Sequence, residues 1–346
     1  MTEHPSESLT TLAWLASTAL LAALLSAAAI IVLRPWLARV ALARPNARSS
    51  HRLPTPQGGG IAVVAAALAL SWVSMAIAPH LLAPDARGQF LAASAGALLL
   101  MGVGWLDDVR PLPVAARLAA QCLAVTAVLV ALPHDLKVVP VLPGWTDRVA
   151  LFIGALWFVN IVNFMDGIDW MVVAEIVPLT AAILLIGPAK TGWVPALASA
   201  AMLGAIVGFA PFNKPVASLF LGDVGSLPIG LLLGWLLLQV AAAGEIVAAV
   251  ILPLYFVADA TLTLARRLAR GERIWEAHRS HFYQRATDAG LSVAQVIARV
   301  FAVNVMLAGL ALVSAQAQPD ATRAAALATA VLLVGGLLWH FHRSRP

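Results

Sequence analysis

Long apolar runs recur along this chain, each close to the ~20 residues an α-helix needs to cross a ~30 Å hydrocarbon core, with short polar clusters between them. The pattern predicts spans near 11–33, 61–82, 89–106, 114–132, 148–165, 170–187, 192–209, 227–243, 244–263, 292–314 and 323–341. This is the pattern of an all-α polytopic membrane protein with about eleven transmembrane helices. Gly244 and Pro253 blur the boundary between the eighth and ninth spans. The spans fill most of the chain, so residues 1–346 are expected to form one integral membrane domain.

Composition agrees: 61% of the 346 residues are hydrophobic and 11% charged, with a mean hydropathy of +0.89. A net charge of +5 would suit nucleic acid, but its distribution excludes that partner. Of the 22 Lys and Arg, all but Arg87, Lys137, Arg148, Lys190 and Arg323 fall in one set of alternating loops. The positive-inside rule puts that set in the cytoplasm, the N-terminus outside and the C-terminus inside. The first ten residues carry Glu3 and Glu7 and no Lys or Arg, unlike a secretory leader, so the first span is expected to be retained. Cys122 is the one cysteine, which excludes a disulfide or a thiolate metal site.

Charge is costly near a membrane, so clustered acids call for a purpose. Asp107 and Asp108 end the third span in GWLDDVR. Adjacent carboxylates repel unless a cation shares the site, which suggests a metal-near carboxylate and a base; the alternative is a solvated helix end beside Arg110. Asn160, Asn163, Asp166 and Asp169 recur every third residue at the inner end of the fifth span, which on a helix makes one slowly drifting face. Gly167 would let the backbone leave the helix there and bring amides near a ligand.

Asp223, in FLGDVGS before the eighth span, is a candidate metal ligand, with Ser226 as a helix N-cap and the helix N-terminus facing phosphate. His278, Arg279, His281 and Arg285 combine imidazoles with forked guanidinium donors, a set suited to phosphate oxygens. PTPQGGG at 54–60 is a rigid turn whose glycines would allow close backbone approach to phosphate. Asp259 is an intramembrane acid, for which an ion pair with Arg266 or Arg267 is at least as good a reading as function. All three aspartate clusters lie in loops that arginine counting places in the cytoplasm, so an enzyme working at the cytoplasmic membrane surface is expected.

In this order the motifs resemble the polyprenyl-phosphate N-acetylhexosamine-1-phosphate transferase family, which includes the phospho-N-acetylmuramoyl-pentapeptide transferase of peptidoglycan synthesis. The similarity runs from about 44 to 290 through PTPQGGG, GWLDDVR, NFMDGID, FLGDVGS and HRSHFYQR. The HRSH form looks more like the branch that initiates O-antigen and related cell-envelope polysaccharide than the cell-wall branch. The resemblance implies transfer of a sugar-1-phosphate from a UDP-N-acetylhexosamine to undecaprenyl phosphate at the bacterial inner membrane, releasing UMP. It implies Mg²⁺, with Mn²⁺ as a substitute.

By the same resemblance Asp223 and Asp166 are metal ligands, and Asp107, Asp108, His278 and His281 are catalytic. Asn160, Asn163, Asp169, Asn213, Phe220, Arg52, Arg117, Arg279 and Arg285 are substrate-binding, Phe220 by stacking on the uracil. A homodimer is left open. Pro111 stands where the cell-wall enzyme has lysine, and Trp170 replaces the second glycine of the family's DGxDG, so sugar choice does not carry over. The competing classes are a lipid-linked-sugar transporter, which would place polar groups near the midplane, and an intramembrane aspartyl protease, which would need two aspartates buried mid-membrane.

Overall fold

The computed structural model describes residues 5–43, 54–133, 136–138, 142–273, 278–316 and 320–343. Among the described residues fourteen α-helices follow one another: α1 (Pro5–Val40), α2 (Gly60–Ile77), α3 (Pro84–Val109), α4 (Val114–Val130), α5 (Gly144–Met165), α6 (Met171–Ile186), α7 (Pro188–Thr191), α8 (Trp193–Asn213), α9 (Asp223–Ala242), α10 (Ile246–Ile251), α11 (Leu254–Ala269), α12 (Phe282–Asp288), α13 (Val293–Gln316) and α14 (Asp320–Arg343). The only strands among the described residues are β1 (Leu42–Ala43) and β2 (Thr55–Pro56), paired antiparallel. The protein is an all-α, multi-pass membrane protein.

Eight of these helices (α1, α2, α3, α5, α8, α9, α13, α14) are long and apolar enough to cross a membrane, and α4 and α6 are shorter apolar helices. The span expected over 244–263 is instead broken into α10 and α11. Pro253, which has no N–H to donate, lies at the break. α9 begins earlier than expected, at Asp223, with Gly222 at the N-cap. Ser226 is therefore not a cap but a residue of the first helical turn.

α8 and α9 are the most enclosed of the long helices, with α1 and α2 packed on α8 and α3 and α5 flanking α9. Lipid offers no hydrophobic drive between helices, so close backbone approach and polar pairs hold the bundle. Gly204 and Gly208, four residues apart on α8, bring it against the backbone of Ala19 and Ala23 on α1. Gln239 on α9 donates to Gln89 on α3 at 2.8 Å, and Thr18 and Ser74 share a hydrogen bond of 2.9 Å between α1 and α2.

The alternating loops segregate to two ends. Lys190 after α6, Glu245 after α9 and Arg323 at the start of α14 meet at one end, with Lys190 Nζ 2.5 Å and Arg323 Nη2 3.6 Å from the Glu245 carboxylate. The aspartate-bearing helix ends gather at the other.

Candidate active site

Four helix termini and a short turn build the site. Asp108, at the end of α3, caps α9: its Oδ1 accepts from the Asp223 amide and its Oδ2 from the Val224 amide, both at 3.0 Å. A carboxylate at a helix N-terminus answers both the orphan N–H groups and the helix dipole. Gly222 makes this possible. Its φ is +80°, and a Cβ there would lie 2.5 Å from Asp108 Oδ2.

Asp107 turns the other way. It accepts from the Leu112 amide at 2.6 Å and from Arg117 Nη1 at 2.7 Å. The same Arg117 nitrogen stands 3.6 Å from Asp223 Oδ2, so one guanidinium bridges the third and eighth predicted spans. The two adjacent aspartates thus have different neighbours and different work.

Asn163 on α5 donates to Asp223 Oδ1 at 2.8 Å and to Ser226 Oγ at 2.9 Å. Asn160 donates to Gln121 on α4 at 2.7 Å. The four-residue polar repeat does not share one helix face as expected. α5 ends at Met165, Asp166 is its C-cap residue, and Asp169 lies in the turn to α6.

Asp166 is half-buried beside Asp223, Asp108 and Asp169. Desolvation first, then the charges of those three neighbours, push its pKa well above the usual carboxylate range. Such repulsion among hard oxygen donors is relieved by a divalent cation, and Mg²⁺ usually takes one or two carboxylates with waters and substrate phosphates. The donor set fits that ion. No group of three or more His, Cys, Asp and Glu stands in metal-ligand geometry among the described residues.

Asp169 and Asn213 brace the loop between α8 and α9. Asp169 Oδ2 accepts from the Ala217 amide at 2.9 Å; Asn213 accepts from the Trp170 amide at 2.8 Å and donates to the Leu219 carbonyl at 3.0 Å. Trp170 has a left-handed backbone, φ 62°, a conformation glycine adopts freely. Its indole Nε1, donating to the Ala210 carbonyl at 2.6 Å, holds it there. Phe220 is half-buried, and its backbone bridges Gln57.

The glycines of PTPQGGG serve packing rather than an open phosphate cradle. Gly59 and Gly60 donate to the Phe220 and Leu221 carbonyls at 2.9 Å, and a Cβ on Gly60 would overlap the Cα of Gly225. The space a ligand would need is filled by α9 at Gly60, by Phe209 and Leu219 at Gly59 and by Leu37 at Gly58. Gly167 likewise abuts the Tyr283 hydroxyl.

His281 is the N-cap residue of α12, with its Nδ1 3.1 Å from Asp259 Oδ1; the His278 ring lies 5.0 Å away, its Nδ1 2.9 Å from Ser280 Oγ. The expected ion pair between Asp259 and Arg266 or Arg267 does not form. Arg267 pairs with Glu272 at 2.8 Å, and the Arg266 guanidinium lies 4.4 Å over the Phe282 ring. Arg279 pairs with Asp288 at 2.9 Å, Arg285 is half-buried on α12, and Arg52 lies outside the described residues.

A cavity of about 690 Å³ opens among these groups. Arg117, Asn163, Asp223, His278 and His281 line its polar part, and Leu118, Ile153, Leu156, Trp157, Leu227 and Leu264 its apolar part. Gln121, Gln284 and Trp157 line it too and were not singled out from the sequence. Gln121 had a signal, as an amide inside a membrane span one turn from Arg117. A second cavity, of about 650 Å³ beside Trp14, Leu81 and Trp193, carries no titratable side chain in its lining.

Residues 90–241 match the model of "Glycosyl transferase family 4". A decaprenyl-phosphate N-acetylglucosaminephosphotransferase of Mycobacterium tuberculosis (strain ATCC 25618 / H37Rv) is 27% identical over 298 residues, covering 75% of this chain and 72% of its own. A probable undecaprenyl-phosphate N-acetylglucosaminyl 1-phosphate transferase of Bacillus subtilis (strain 168) is 24% identical over 283 residues, 76% of this chain and 75% of its own. A phospho-N-acetylmuramoyl-pentapeptide-transferase of Mycolicibacterium smegmatis is 28% identical over 310 residues, 74% and 82% of the two chains.

Proposed function

We propose that this chain, whose residues 90–241 match the model of the glycosyl transferase family 4, moves an N-acetylhexosamine-1-phosphate from a UDP-sugar to undecaprenyl phosphate. UMP leaves, and the product starts a lipid-linked cell-envelope glycan. The observation that carries this reading is the cavity, whose lining combines Arg117, Asn163, Asp223, His278 and His281, groups suited to phosphate, with a set of apolar side chains. A phosphate-headed polyprenyl chain has that division. An aspartyl protease would need paired mid-membrane aspartates, and here the clustered aspartates Asp107, Asp108, Asp166 and Asp223 sit at helix ends.

In this reading the acceptor phosphate oxygen attacks the phosphorus that carries the sugar. The bond from that phosphorus to the bridging oxygen breaks, and the oxygen departs with UMP. Phosphoryl transfer of this kind asks mainly for alignment and charge neutralisation. Arg117 supplies a cation between Asp107 and Asp223. Asn163 orients Asp223, and His278 and His281 face the diphosphate. Mg²⁺ held by Asp223 and Asp166 would neutralise phosphate charge. The carboxylates of Asp107 and Asp108 are engaged by Arg117 and backbone amides, which supports direct transfer over a phospho-aspartate. The arginine distribution, and the cytoplasmic origin of nucleotide sugars, support a place in the inner membrane with the site facing the cytoplasm.

Purified protein in detergent, given polyprenyl phosphate, Mg²⁺ and a panel of UDP-N-acetylhexosamines, is expected to release UMP with at least one of them. Chelation by EDTA should stop release, and Mg²⁺ should restore it. Release that needs no lipid phosphate, or that EDTA leaves untouched, would sink the reading. Leu118→Trp, which fills the apolar wall, is expected to raise KM for the lipid phosphate by about tenfold and leave KM for the UDP-sugar unchanged. Equal rises in both constants would rule out that wall as the lipid's seat.

A further inference from the structure

We propose that Asp259 is a positioning residue for the transfer: it holds His281 with Nδ1 protonated and Nε2 presented to the cavity, where Nε2 takes the proton of the acceptor phosphate. The inference rests on the transferase reading above, and its first test does not.

Asp259 is fully buried on α11, yet its carboxylate is surrounded by donors. Oδ1 receives His281 Nδ1 and the Phe282 amide, both at 3.1 Å, and Thr263 Oγ1 at 3.3 Å. Oδ2 receives the Tyr255 hydroxyl and the Tyr283 amide, both at 3.3 Å. No Lys or Arg pairs with it among the described residues; Arg266 lies over the Phe282 ring and Arg267 pairs with Glu272. A carboxylate placed against Nδ1 selects the Nδ1–H tautomer and leaves Nε2 unprotonated. His281 is 2% exposed and still lines the cavity.

The same carboxylate accepts the first amides of α12. It thereby sets a short helix whose Tyr283 hydroxyl reaches the Phe164 carbonyl, two residues before Asp166. The Tyr283 ring stacks on His281 with centroids 5.6 Å apart. Asp259 thus ties the histidine side of the cavity to the aspartate side.

Two of the carboxylates near the attacking group already hold other partners. Asp107 is spent on Arg117 and Asp108 on the α9 amides. In the proposed step the O–H bond of a monoprotonated acceptor phosphate breaks and its proton bonds to Nε2. The freed oxygen then bonds to the sugar-bearing phosphorus as UMP leaves with the bridging oxygen. The imidazolium afterwards releases the proton to water.

The test uses full-length protein labelled with ¹⁵N-histidine in lipid nanodiscs, with His281→Gln assigning the resonance. Wild type is expected to show His281 as the Nδ1–H tautomer, and an Nε2–H tautomer would overturn the proposal without reference to activity. Asp259→Asn, whose amide can donate to Nδ1, is expected to flip the tautomer. It should lower kcat by about 10²-fold, with KM for the UDP-sugar within about twofold. The pair Asp259→Asn with His281→Gln should be no slower than His281→Gln alone. Losses that multiply would show Asp259 acting independently of the histidine and overturn the proposal. Should Asp259→Asn fail to fold, the wild-type tautomer still decides. Wild type that releases no UMP from any UDP-sugar would refute the transferase reading and leave the tautomer result standing.

Discussion

Asp223→Asn is expected to cut UMP release by about 10²–10³-fold, the usual cost of removing one electrostatic group aimed at developing charge. The substitution keeps the shape of the side chain and removes its charge at a position where α3, α4, α5 and α9 meet. Asp223 is the first residue of α9, its Oδ1 receives Asn163, and its Oδ2 lies 3.6 Å from Arg117. The backbone amide that Asp108 caps is untouched by the change, so Tm should stay close to wild type. Initial rates of UMP release and a thermal melt in the same detergent check both halves. Full turnover with a normal melt would remove Asp223 from the site. Lost turnover with a collapsed melt would move its role to folding.

Gly60→Ala is expected to be more damaging than its single methyl suggests. A Cβ at position 60 would overlap Gly225 Cα and lie 2.5 Å from Gly225 N, both of them rigid backbone. The reverse substitution meets the same obstacle, since a Cβ on Gly225 would lie 2.6 Å from Gly60 Cα. α2 and α9 must therefore separate, and overpacking of this kind costs about 1–3 kcal/mol or more. The strain lands two residues from Asp223. A displacement near 1 Å at a reacting centre can cost about 10²-fold in rate, so both Tm and UMP release should fall together. Gly88→Ala is the control: nothing lies within 4 Å of a Cβ there, and neither quantity should move.

The two substitutions separate what could be read along the chain from what could not. Apolar runs of membrane length fixed the fold class, because in lipid a backbone must satisfy its own hydrogen bonds and helices do so. Adjacent acids at span ends were visible for a related reason, since charge near lipid is too costly to be incidental. Arg117 came only through the family resemblance, and Arg52 lies outside the described residues. Periodicity misled in promising one helix face for Asn160, Asn163, Asp166 and Asp169: α5 stops at Met165, where the fifth span was expected to end, so the two aspartates lie beyond it. It misled again at 244–263, where Pro253 splits one apolar run into two helices.

By itself, then, the sequence determined an all-α membrane chain with its acids at helix ends and its positive charge on one set of loops. Those are local properties: hydropathy, spacing and the cost of charge act residue by residue. Only the tertiary structure decided which acid does what. Asp107 and Asp108 are neighbours in the chain, yet one meets Arg117 and the other caps α9, because the partners come from helices that begin 114 and 223 residues along. For Asp259 a pairing with the arginines that follow it was at least as good a reading as function, and it holds His281 across a loop instead. Contacts between distant segments depend on how helices pack, and no local pattern encodes that choice.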